Sequence, residues 1–274
     1  MSSPERRVGD RPFLVDAAAV GLISLFICLW SERLALMSVL VPVVLLARLG
    51  LWLALPRAER DLGGRAEVAF FLMATLFGAF NDWNSVTRHR VYDYTVPTDL
   101  PGLSHIPIWM LLYWGLILRF VLTVFHWRRS GLGRAGDGVW LGRRTSARPL
   151  LKVLLLLGLV LATRQAIYRL YDHVLWSWLP FAVAILAYLA LFRPERARLR
   201  LLVLVVAIGP AVEALYIQVG HLHAYRLGWL GGVPLWIALW WGLAALVWDD
   251  IGTRLMDGLE RALGSKRALS SAPS

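Results

Sequence analysis

A succession of long apolar runs limits what this chain can fold into. Apolar residues make up 58% of the 274 positions and charged ones 17%, and the two kinds are segregated along the chain. About 18 consecutive apolar residues in a helix are enough to cross a bilayer core of about 30 Å. The runs therefore predict an all-α integral membrane protein with about eight transmembrane helices. They fall near residues 13–30, 34–55, 67–87, 106–126, 149–169, 174–192, 199–218 and 233–251. The composition excludes a soluble globular domain.

The segments between these runs differ sharply in charge. Five of them, counting both ends, hold 22 of the 29 Lys and Arg residues, among them Arg6, Arg48, Arg57, Arg128, Arg143, Lys152, Arg198 and Arg254. The four alternate segments hold only Arg33, Arg88, Arg90, Arg169 and Arg226. The positive-inside rule predicts a multi-pass protein of a bacterial-type inner membrane with both termini cytoplasmic. Topology thus accounts for the net charge of +11, and nucleic-acid binding finds no other support. The first run follows Arg6, Arg7 and Arg11 but lacks a small-residue cleavage site before Ser31-Glu32-Arg33, so it reads as an uncleaved helix. The single Cys28 excludes a disulfide framework.

The chain also repeats itself. Pro107, Trp109, Trp114 and Gly115 spell P-x-W-x-x-x-x-W-G, and so do Pro234, Trp236, Trp241 and Gly242. An aromatic precedes the second Trp in both, Tyr113 and Trp240. Upstream, Asp82 stands twelve residues before Tyr94 and Glu213 twelve before Tyr225, each with a Gly four residues earlier, Gly78 and Gly209. The predicted organisation is a first four-helix repeat over 1–126, a basic cytoplasmic linker over 127–148, a second repeat over 149–263 and a disordered tail over 264–274. With an even number of helices per half, the two repeats are parallel.

Each repeat places a carboxyl within a membrane helix, about 20 Å from the cytoplasmic face at 1.5 Å per residue. An ionisable group there costs about 2.5–3.5 kcal/mol on insertion scales and usually marks function. Asn81, Trp83 and Asn84 surround Asp82, and Tyr216 lies one turn from Glu213. The structural alternative is that the acids pair with Arg164, which lies inside the fifth run and needs a partner. Arg119 is expected to snorkel to the cytoplasmic surface. Asp249 and Asp250 should meet solvent or loop cations. Trp109 and Trp236 fall where an interfacial aromatic belt would lie, while Trp114 and Trp241 are deeper. His221 and His223 near Glu213 are a weak metal pattern, so no metal site is expected. The run Gly131-Leu132-Gly133-Arg134-Ala135-Gly136 fits G-x-G-x-x-G but follows no strand, and no cofactor motif is read.

The segment Glu213, Gly220, Tyr225, Pro234-Leu235-Trp236 resembles a pattern in polytopic carotenoid-processing proteins. It is similar to the carotenoid 1,2-hydratase family and, more loosely, to small lycopene cyclases and membrane-bound terpene cyclases. The resemblance implies an embedded acid that protonates an isoprenoid double bond, with water or an internal alkene quenching the cation. Asp82 and Glu213 are the residues it carries over.

The leading expectation is an intramembrane lyase- or isomerase-type enzyme acting on a hydrophobic lipid by hydration, isomerisation or cyclisation. Asp82, Glu213, Tyr94, Tyr225 and His223 form its catalytic set. Asn81, Trp83, Asn84, Tyr92, Trp109, Trp114, Tyr216, Trp236 and Trp241 form its binding set. A proton-coupled carrier of a small solute and a non-catalytic lipid- or partner-binding subunit stand as alternatives.

Overall fold

A computed structural model describes residues 7–130 and 149–264. Most of the expected linker (131–148, with its glycine-rich run) and the expected tail beyond Gly264 lie outside the described residues. The fold is helical: α1 (Asp10–Trp30), α2 (Leu34–Ala54), α3 (Gly64–Trp83), α4 (Ile108–His126), α5 (Pro149–Leu170), α6 (Leu179–Phe192), α7 (Arg196–Gln218) and α8 (Leu235–Gly264). Two three-residue strands, β1 (Tyr92–Tyr94) and β2 (His223–Tyr225), pair antiparallel between them.

Six of these helices, α1, α2, α4, α5, α7 and α8, are long and apolar enough to cross a membrane. Of the other two, α6 has 14 residues, about 21 Å of helix. It starts later than its apolar run because Pro180 sits in the first turn, where a missing N–H does no harm. The 20-residue α3 carries Arg65, Glu67, Asn81 and Asp82 and gives way to a π-helical turn over Asn84–Arg88. The outer faces of the bundle are studded with exposed Leu14, Leu25, Val43, Leu46, Leu76, Val183, Leu186 and Val203, as suits a lipid-facing surface rather than water.

Hydrogen bonds show which loops share an end. Ser31 Oγ donates to the Gly220 carbonyl, Asn84 bonds Tyr168, and β1 pairs with β2, so the turns after α1, α3, α5 and α7 lie together. At the opposite end Gly9 bonds Glu59, and Glu260 of α8 accepts the Gly63 N–H at 2.7 Å. That carboxylate caps the start of α3, where the helix dipole favours negative charge. It can do so because α8 runs to Gly264, about 20 Å past the end of its apolar run near residue 251.

The core has three clusters, one built on α1, α2 and α4, one on α5, α6 and α8, and a third that joins α3, α4 and α8 through Phe70, Leu122 and Trp248. The central helices α4 and α8 touch across the middle, where Trp114 and Trp241 stack with centroids 6.3 Å apart. The two sides of this central pair are unequal. α3 packs directly on α8, whereas α4 and α7 scarcely touch.

Candidate functional site

The two acids sit in matching cages. Asp82, on the last turn of α3, accepts hydrogen bonds from Tyr92, from Tyr94 at 2.8 Å and from Trp114 Nε1 at 2.8 Å. Glu213, near the end of α7, bonds His223 Nε2 at 2.8 Å, Tyr225 at 3.0 Å and Trp241 Nε1 at 3.1 Å. A close helix approach aims each indole. A Cβ on Gly78 would stand 2.6 Å from Trp114, and one on Gly209 would stand 2.6 Å from Trp241. Only glycine lets either Trp lie against the helix and point its N–H at the acid.

The short strands bring the two cages together. Successive strand residues point to opposite faces. Tyr92, Tyr94, His223 and Tyr225 therefore share the inner face, while Asp93 and Ala224 are exposed. The register pairs Tyr92 with Tyr225 and Tyr94 with His223. The Tyr92 ring lies 5.1 Å from that of Tyr225 and 5.7 Å from that of His223. Both strands are entered through a residue in left-handed backbone, Arg90 (φ 50°) and His221 (φ 45°), which is uncommon outside glycine. Enclosure, reinforced by the neighbouring carboxyl groups, pushes the hydroxyls of Tyr92, Tyr94 and Tyr225 well above their ordinary titration range. They stay protonated and act as donors.

A cavity of about 340 Å³ opens beside Glu213, among α1, α4, α7 and α8. Its polar end is formed by Glu213, His223, Tyr92, Tyr94 and Tyr225, and Trp114, Trp241, Tyr113 and Tyr216 continue the wall. Aliphatic and Phe side chains line the remainder as far as Phe125 and Leu201. On both α4 and α7 the lining spans about 22 Å of helix. Among the described residues no Lys or Arg lines it. His223 Nδ1 is buried there without a partner.

Several expected site residues lie elsewhere. Asp82 is 1% exposed and reaches the cavity only through Tyr92, Tyr94 and Trp114. Trp109 and Trp236 are not belt residues: both are buried in the core, Trp236 stacked on Phe181 at 5.9 Å. Trp83 donates to the Leu103 carbonyl, and Asn84 to Tyr168. Arg164 pairs with neither acid. It donates to the Asn81 carbonyl, to Ser85 and to Tyr168 at the π-helical turn, where backbone and hydroxyl acceptors take the place of a counter-ion. His221 is exposed, and His223 alone reaches Glu213. Sequence reasoning missed the hydroxyl cluster on the cavity wall, where Ser24 bonds Tyr216 at 2.7 Å and Tyr113 at 3.3 Å. Tyr113 was visible as the aromatic before the second Trp, but Ser24 carries no such signal.

A buried ion network occupies the opposite end. Arg48 bonds Asp16 at 2.6 Å and Glu67 at 2.5 Å. Arg119 bonds Glu67 at 3.0 Å, Asp61 at 2.7 Å and Thr123 at 2.9 Å. Arg119 is 0% exposed and does not snorkel, because its acids come to it within the bundle. Burial works against ionisation of Asp61, yet Arg119 and His126 outweigh it and hold this carboxyl below the ordinary carboxylate range. Asp249 and Asp250 are also buried, paired with Lys152 of α5 and Arg198 of α7 rather than with solvent.

Compared with known protein families, curated proteins and solved structures, the chain matches none.

Proposed function

We propose that this protein is an intramembrane acid/base enzyme that transfers a proton to an uncharged, isoprenoid-like lipid, in a hydration, isomerisation or cyclisation. In this reading all eight helices lie in a bacterial-type inner membrane as two parallel four-helix repeats, with the basic end and both termini cytoplasmic. Beyond the two cages, the repeat is supported by equivalent contacts at equal spacing. Gly115 faces Phe71 and Thr75, eleven and seven residues before Asp82, as Gly242 faces Leu202 and Val206 before Glu213.

One observation carries the functional reading: a hydrogen-bonded carboxyl, Glu213, stands at the polar end of an otherwise apolar cavity. The lining suits a single long hydrocarbon chain, and Glu213, with no Lys or Arg among the described lining residues, disfavours an anionic head group. The protonated Glu213 carboxyl donates to an alkene carbon of the chain. A C–H bond forms, the double bond breaks, and the positive charge left on the adjacent carbon faces the Trp114 and Trp241 rings, which stabilise it through their quadrupoles. Water adds to that carbon and loses a proton to His223 in a hydration. In an isomerisation a neighbouring C–H proton returns to Glu213, and in a cyclisation a second double bond of the chain attacks first. Tyr225 and Trp241 hold Glu213 in place throughout.

Proton transfer leaves an isotopic record. Purified protein in D2O is incubated with squalene, phytoene and geranylgeraniol in turn, and deuterium in the recovered lipid is measured by mass spectrometry. Wild type is expected to label at least one of the three, and Glu213→Gln to lose about 10²–10⁴-fold of that rate, the usual contribution of a general acid. A folded Glu213→Gln variant that labels at the wild-type rate overturns the proposal, as does wild type that labels none.

A further inference from the structure

The repeat implies two equivalent clefts, one between α4 and α7 and the other between α8 and α3. Only the first is open. Two features separate them: α3 packs directly on α8 while α4 and α7 scarcely touch, and three pairs of corresponding positions differ in bulk. Phe70 and Leu201 each stand twelve residues before their acid, and Phe77 and Ile208 five before. Trp248 and Val121 each stand seven after the second Trp of their motif. In the closed cleft all three are aromatic. Trp248 stacks on Phe77 at 5.4 Å, lies 6.1 Å from Phe70, and donates to the Leu118 carbonyl at 2.8 Å. In the open cleft all three are aliphatic, and Leu201, Ile208 and Val121 all line the cavity.

We infer that the α3/α8 cleft is a second, plugged copy of the lipid site, in which Phe70, Phe77 and Trp248 fill the volume that a lipid chain takes in the α4/α7 cleft. This inference rests on the repeat and on the cavity as the lipid site. The plug explains why Glu213 borders a cavity while Asp82, in an equivalent cage, does not. It makes the three aromatics determinants of stoichiometry, with one chain-like ligand per protein, and of which acid meets it. The cages are nearly alike, since each has a Tyr, a Trp and one further hydrogen-bonding partner, Tyr92 for Asp82 and His223 for Glu213. The opened cleft would take the same ligand class, an uncharged long-chain lipid.

Saturable photolabelling distinguishes the clefts. The full chain in detergent is labelled with a diazirine-bearing hexadecanol, with and without excess unlabelled hexadecanol, and the labelled peptides and intact mass are read by mass spectrometry. Wild type is expected to take one competable label, confined to α4 and α7. Phe77→Ile with Trp248→Val is expected to take two, the second on α3 or α8. The reverse change, Val121→Trp with Ile208→Phe, is expected to lower α4/α7 labelling at least tenfold. If the opened variant folds and still labels only α4 and α7, or if wild type already labels both clefts, the plug is overturned. If the reverse variant labels like wild type, the α4/α7 cavity is not the lipid site and the functional reading falls with it. Should the double variant fail to fold, Phe77→Ile alone keeps Trp248 and its bond to Leu118. It is expected to show partial competable labelling on α3, and its absence overturns the plug equally.

Discussion

Asp82 and Glu213 are held by nearly the same groups, yet one is sealed and the other borders a cavity. Each accepts from a Tyr twelve residues on and from the second Trp of its motif, and each bonds a third group on the paired strands, Tyr92 for Asp82 and His223 for Glu213. The carboxyl cage therefore does not by itself place an acid beside a cavity. What separates the two is the neighbouring volume, filled by Trp248 on one side and left open by Val121 on the other. Hydrogen bonding fixes where the acid points, and side-chain bulk one helix away decides what it can meet.

The largest effect expected on stability comes from emptying the cages. Asp82→Leu leaves the donors of Tyr92, Tyr94 and Trp114 without the acceptor that all three share, at about 1–3 kcal/mol for each buried group. Chemical denaturation in detergent should show a larger loss than for Glu213→Leu, because Asp82 is 1% exposed and the Glu213 side chain 13%. Equal losses would mean that the two cages are equally sealed. A smaller effect is expected from adding a methyl group at the helix crossings. Gly78→Ala and Gly209→Ala each force an indole aside, at about 1–3 kcal/mol for an overpacked contact. Both should also weaken labelling by the hexadecanol probe, because Trp114 and Trp241 both line the cavity.

The smallest effect concerns alkaline pH. The folded state holds Tyr92, Tyr94 and Tyr225 above their unfolded pKa of about 10. A raised folded pKa gives stability that is fully present below the unfolded value and is lost as pH climbs past it. Phenolate absorbance from these three should appear only with global unfolding. Tyr94→Phe and Tyr225→Phe should each cost about 1 kcal/mol at neutral pH and flatten the decline above pH ~10. A flattening in one variant only would show that the strands do not enclose the two sides alike.

Much of this was legible in the sequence, for identifiable physical reasons. The apolar runs located the helices, because the 3.6-residue helix must present apolar atoms all round to lipid. The spacing from Asp82 to Tyr94 and from Glu213 to Tyr225 located the cages, because a helix end and a three-residue strand leave little freedom between them. The plug was not legible. Trp248 and Val121 lie outside the repeated motif, and only the approach of α3 to α8 shows what they fill. The network of Asp16, Arg48, Asp61, Glu67 and Arg119 was hidden for a related reason. Its members come from α1, α2, α4, the start of α3 and the loop before it, and each alone reads as a residue near a membrane surface. Helix α8 outran its apolar stretch because its last turns pack on the start of α3 through Glu260 rather than on lipid.

The buried charges at the basic end carry a consequence for assembly. Glu67 stands fifteen residues before Asp82, and Arg198 fifteen before Glu213, so the same place in the two halves holds opposite charges. Glu67 finds its cations on α2 and α4, and Arg198 finds its acids on α8. Were α3 to choose α8 as its hairpin partner at this level, Glu67 would confront Asp249 and Asp250, and α4 paired with α7 would set Arg119 against Arg198. Every buried ion pair of the first network closes between residues 16 and 126, and every one of the second between residues 152 and 250. The ion pairs of each network thus close without residues from the other, and mispaired hairpins are penalised by like charge in a place where water cannot screen it.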